Sequence, residues 1–102
     1  MRKLIKDLKE KDICYEVYDN GLFYEIECVS CTLINECHNW YKMIFRTING
    51  VIDFIHVRDG NDDYICTDDT DIYINKEDAI EKLQGIIRRC DEGIKILTEN
   101  DK

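Results

Sequence analysis

Cys28-x2-Cys31-x5-Cys37-His38 gathers three thiols and an imidazole within eleven residues, and a compact set of soft ligands is what tetrahedral zinc requires. Cys28 and Cys31 have the spacing of a metal knuckle. Cys37 and His38 are adjacent, so both can ligate only where the backbone turns sharply; Cys66 or His56 are the substitutes where it does not. Zinc held by Cys28, Cys31, Cys37 and His38 would also order a polar loop between two hairpins. The plainer reading is ordinary reduced thiols, with Cys28 on a strand and Cys31 and Cys37 on a loop.

Cys37-His38-Asn39 also holds the ingredients of a thiol hydrolase, in which the imidazole lowers the thiol's pKa. Catalytic Cys and His normally come from separate segments, and neighbours in sequence point to different sides of a strand. Asp59-x-Asn61-x-Asp63 copies the first three oxygen positions of a calcium loop, but Tyr64 stands where glycine is needed and Thr70 where a bidentate Glu is needed. A solvated acidic turn fits better. No Gly-rich phosphate loop is present. The chain is therefore expected to be non-catalytic, with no cofactor other than the zinc the Cys/His cluster allows.

The remaining concentration of chemistry is charge. Asp59, Asp62, Asp63, Asp68, Asp69 and Asp71 put six carboxylates into thirteen residues, and Glu16, Glu25 and Glu27 form a second acidic patch. The chain carries 14 Lys and Arg against 22 Asp and Glu, a net charge of −8. Such a surface repels phosphate backbones, which disfavours direct binding to nucleic acid, and steers the chain towards a basic partner. Carboxylates along turns and edge strands can imitate the phosphates that a nucleic-acid channel holds with Arg and Lys. A solvated face with no mimicry is the simpler alternative.

The elements that position these groups follow from periodicity. At 102 residues, without proline, linker or repeat, the chain is expected to form one domain over 1–102. Leu4, Ile5 and Leu8 mark one side of a short helix over about 2–11. Ile13 to Val17 alternates with period two, Asn20-Gly21 predicts a type I′ hairpin turn, and Leu22 to Val29 is the return strand. A second hairpin runs from Trp40 to Ile48 and from Val51 to Val57 through Asn49-Gly50, with 30–39 irregular between the pairs. Tyr64 to Cys66 and Ile72 to Ile74 read as short strands. Asn75 offers a side-chain cap to a helix starting at Lys76, whose Ala79, Ile80, Leu83, Ile86, Ile87, Cys90, Ile94 and Leu97 recur every three or four residues. This order predicts an α+β fold: an antiparallel sheet of four to six strands with a short N-terminal and a long C-terminal helix on one face. Tyr18, Phe23, Trp40, Ile44, Ile52 and Phe54 would line the other face, which a homodimer or partner could cover. No window is apolar enough to span a membrane and no signal-peptide core follows Met1-Arg2-Lys3, so the expected setting is a reducing cytoplasm.

A leading helix from Arg2 to Lys11, a hairpin through Asp19-Asn20-Gly21, an acidic middle and a closing helix resemble, in architecture and composition, the small acidic inhibitors encoded by phages and mobile elements, anti-CRISPR proteins among them. The resemblance implies stoichiometric inhibition of a host protein through its basic nucleic-acid-binding groove, in the host cytoplasm, with Asp59 to Asp71 as the contact region. The rival readings are a zinc-stabilised adaptor domain, and a binder of a small molecule or nucleotide signal in a pocket under the helices.

Overall fold

The computed structural model describes residues 2–52, 55–57, 59–67 and 70–100. Strand β1, Ile13–Tyr18, is buried at Cys14 and again at Val17. An odd spacing on a strand puts the two side chains on opposite faces, so β1 must be covered from both sides. The sheet around it is antiparallel throughout. It comprises β2 (Phe23–Asn35), β3 (Trp40–Thr47), β4 (Gly50–Val51), β5 (Ile55–Val57), β6 (Tyr64–Cys66) and β7 (Thr70–Tyr73), followed by helix α1 (Lys76–Asn100). The order is β4-β3-β2-β1-β7-β6, and β5 pairs with β3 alongside β4. The fold is α+β, six strand positions wide. No helix among the described residues is long and apolar enough to cross a membrane.

One face carries Cys14, Ile26, Cys28, Met43, Phe45, Ile65, Ile72 and Ile74, closed over by Ile5 and Leu8 from the N-terminal segment. A bulge between Cys28 and Ser30 shifts the alternation by one residue. Cys28 and Cys31 therefore both face this core, opposite Phe45 and Met43. The other face carries Val17 with Tyr15 and Tyr73, covered by Ala79, Leu83 and Ile86 of α1. The two chain ends thus cover opposite faces of the sheet, not a shared one.

Several expectations change for physical reasons. The N-terminal helix is a single 3-10 turn, Ile5–Asp7. The Ile5 and Lys6 amides instead donate to the carbonyls of Asp62 and Gly60, at 2.8 and 2.9 Å, so cross-chain bonds replace helical ones that a short segment could not sustain. Segment 30–39 is not irregular: β2 continues to Asn35 and turns into β3 through residues 36–39, with Asn39 at φ 56°, a left-handed position that Asn tolerates. At the first Asn-Gly only Gly21 has positive φ (91°), the Gly21 amide donates to Tyr18, and Tyr18 in turn donates to the Leu22 carbonyl. That is a type I turn closed by a glycine bulge, not type I′. Gly50, at φ 109°, plays the same part after Ile48-Asn49.

Asn75 does not use its side chain as a cap. Its Oδ1 accepts from the Lys3 amide and its Nδ2 donates to the Lys3 carbonyl, both at 2.9 Å, while its own carbonyl accepts from the Asp78 amide. This buried amide joins the N-terminal segment to the start of α1. Asn75→Ala leaves both Lys3 main-chain groups without that partner and is expected to cost about 1–3 kcal/mol, measurable as a lower urea midpoint at unchanged slope.

Candidate functional site

The Cys/His cluster does not assemble. Cys28 is fully buried and Cys31 half-buried in the core, while Cys37 is exposed in the turn between β2 and β3. His38 sits against Trp40, with ring centroids 5.6 Å apart. The bulge that turns Cys28 and Cys31 inward separates them from Cys37 and His38. Among the described residues, no group of three or more His, Cys, Asp or Glu is placed to hold a metal. The calcium-like run is likewise internal: Asp59 Oδ1 accepts from the Asn61 amide and from Asn39 Nδ2, at 2.9 and 3.0 Å, and Asp63 pairs with Arg2.

The inward thiols are held in the protonated form. Burial pushes Cys14 up to about 12 and Cys28 up to about 11, and raises Cys31. Cys66 is raised by its bond to the Asp71 carboxylate. A nucleophile needs the opposite shift. Because the folded value of Cys14 exceeds its ordinary 9.0, its contribution to stability is complete below pH 9 and is lost as pH rises towards 12. Tyr73, pushed up to about 12 by burial and then by Asp71, acts in the same direction. Stability measured by denaturant is therefore expected to fall from about pH 9 upward, and Cys14→Ala to flatten that fall. In native protein, thiol reagents should modify Cys37 and Cys90 at once, Cys66 more slowly, and Cys14 and Cys28 only after unfolding.

The acidic segment is not one patch. Loop 59–62 lies at one end of the sheet, tied by Asn39 and Asp59 to the turn that contains Glu36. Gly60 permits this approach, since a Cβ there would stand 2.3 Å from the Tyr41 ring. Asp59, Asp62 and Glu36 are exposed in this region. Asp63 joins Asp78 on the Arg2 guanidinium. Asp71, near the opposite end of β6 and β7, shares Lys82 with Asp19, at 3.7 and 3.4 Å. Asp68 and Asp69 lie outside the described residues.

The second patch also divides. Glu25 and Glu27 share the α1 side of the sheet, with Glu27 bridged to Arg46 at 3.6 Å; Glu16 points to the other face and accepts from the Tyr18 hydroxyl at 3.3 Å. Among the described residues no basic side chain bridges Asp59, Asp62, Glu36, Glu16 or Glu25. Glu36 was not among the expected contact residues, because only the fold of the 36–39 turn brings it beside loop 59–62.

Between α1 and the β6–β7 hairpin runs an open groove of about 550 Å³. Tyr64 and Tyr73 lie nearly parallel there, centroids 6.0 Å apart, beside Arg2, Lys82, Arg88 and Arg89, with Asp63, Asp78 and Glu81 also on its walls. It places four basic side chains together in an acidic chain. No protein-family model, curated protein or solved structure matches the chain.

Proposed function

We propose that this is a non-catalytic binding protein, of the kind phages and mobile elements use as inhibitors, that occupies a basic nucleic-acid-binding groove of a host protein. The observation that carries this reading is the exposed acidic end of the sheet. Among the described residues, Asp59 and Asp62, with Glu36 beside them, have no cation bridged to them, whereas Asp63, Asp71 and Glu27 do. Carboxylates left without an internal partner are the ones available to Arg and Lys of another protein. Trp40, on the strand that leaves this turn, adds an exposed aromatic ring to the same end. The protonated thiols agree with a role that requires no nucleophile.

The test is capture of the partner from host lysate at low and high salt, using wild type and the triple variant Glu36→Gln, Asp59→Asn, Asp62→Asn. Affinity for the partner should fall steeply with salt, and the triple variant should bind at least about tenfold more weakly, roughly 1.4 kcal/mol. Asp63→Asn, at a carboxylate already paired with Arg2, should change both binding and stability little. Undiminished binding by a folded triple variant would remove this surface from the interaction.

A second reading, binding of a small phosphorylated aromatic ligand, is favoured specifically by the Tyr64–Tyr73 pair next to Lys82, Arg88 and Arg89. Stacking and guanidinium pairing are the two contacts such a ligand needs. Titration with purine and pyrimidine nucleotides, followed by calorimetry on wild type and Tyr64→Ala, should then show saturable binding that the variant loses. No heat at millimolar nucleotide would exclude it.

A further inference from the structure

Helix α1 packs on the sheet only through its first three turns. Ile86 lies beside Gly21, at the end of the first hairpin, and from Ile87 to Glu99 every residue except Gly93 is exposed. At 1.5 Å per residue the helix overshoots the sheet by about 20 Å, which accounts for a longest dimension of 60 Å against 29 and 25 Å. The overhang is not polar all round. Ile87, Ile94 and Leu97 are 59, 62 and 70% exposed, and Cys90 is exposed between them.

These residues continue a strict heptad. Ile80, Ile87 and Ile94 occupy one position and Leu83, Cys90 and Leu97 the other, in alternating steps of three and four, with no charge at any of the six. That is the a/d repeat of a coiled-coil seam, which can face a second helix. We infer that the overhang is a self-association element, in which α1 of a second copy of this chain packs antiparallel along Ile87 to Leu97. Two features identify the occupant and its direction.

The first is self-complementarity. A two-fold axis at the level of residue 92 sets Ile87 against the partner's Leu97 and Cys90 against the partner's Ile94, with both pairs repeated by symmetry, so each of these four seam residues meets another, while Ile96, 58% exposed, lies outside the seam. This is the isologous arrangement of a C2 dimer. The second is steric. Leu83 of the seam packs on the sheet with Ala79 and Ile86, so a parallel partner helix extended along the seam would run into the sheet at that level. In the antiparallel register the partner's Glu99 reaches only the level of Gly85, where the sheet ends. Leu22 and Phe23, each 54% exposed at that end, are placed to receive the partner's helix tip.

Sedimentation equilibrium on the full chain tests this. Wild type should show a concentration-dependent dimer, while Ile94→Lys and Leu97→Lys should each raise the dimer dissociation constant about a hundredfold or more. Neither residue touches the sheet, so helical circular dichroism and the urea midpoint at low protein concentration should change little. Glu92→Gln, on the opposite side of the helix, should leave the dimer intact. Direction is read by oxidation: Ile94→Cys should form an intermolecular disulfide with Cys90 of the other copy, whereas wild-type Cys90 should not pair with itself. A wild type that stays monomeric at millimolar concentration, or a dimer insensitive to both lysine variants, overturns the proposal. Rapid Cys90–Cys90 cross-linking overturns the antiparallel register.

Discussion

Burial of β1 on both faces is the constraint from which the rest of the architecture follows. A strand with Cys14 packed on one side and Val17 on the other cannot lie on a sheet with one wet face. Each side needs its own apolar cover. Among the described residues, the segments outside the strands and their connections are the N-terminal segment and α1. The N-terminal segment supplies Ile5 and Leu8 to the larger core, and α1 supplies Ala79, Leu83 and Ile86 to the smaller. The Asn75–Lys3 clamp then has a clear role. It holds together, at one edge, the two segments that diverge to opposite faces.

The same constraint explains what was legible in the sequence and what was not. Period-two alternation reports a strand, and the strands around the two Asn-Gly pairs lie close to where the pattern places them, except that the expected strand from Val51 to Val57 is divided into β4 and β5. Face assignment depends on phase, and phase changed without a sequence signal at Val29, where the bulge brings Cys28 and Cys31 to the same side. The zinc expectation rests on this stretch, since spacing alone makes Cys28, Cys31, Cys37 and His38 look convergent. The continuation of β2 to Asn35 was equally hidden. Its last residues are polar or exposed on both sides, so only pairing with Trp40 to Lys42, not burial, makes them a strand. The short N-terminal helix failed for a different reason: its amphipathic pattern was real, but its amides found better acceptors in loop 59–62 than in its own carbonyls.

Linear charge density proved a poor guide to surface potential for a related reason. Asp59, Asp62 and Asp63 are close in sequence to Asp71, yet β6 lies between them and sets Asp71 towards the other end of the sheet. The chain has only 14 basic side chains for 22 acidic ones, so where those cations fall decides which carboxylates remain available. Arg2 takes Asp63 and Asp78, Lys82 takes Asp19 and Asp71, Lys3 takes Asp12 and Arg46 takes Glu27. Exposed pairs of this kind contribute little to stability. Their larger effect is to cancel field locally, leaving Glu36, Asp59 and Asp62 as acidic groups that no basic side chain bridges among the described residues.

This distribution also separates the surfaces by chemistry. The acidic end of the sheet and the protruding half of α1 are at opposite ends of the molecule, because α1 starts beside the Asn75–Lys3 clamp and runs away from loop 59–62 past Gly21. One end offers exposed carboxylates, whose interactions salt would screen. The other offers isoleucine and leucine, whose association strengthens as salt excludes apolar surface from water. Opposite responses to ionic strength follow from the fold alone. A macromolecule bound at the acidic end need not displace a second copy from the helix, and two copies joined through their helices would present their acidic ends outward, one at each extremity of the pair.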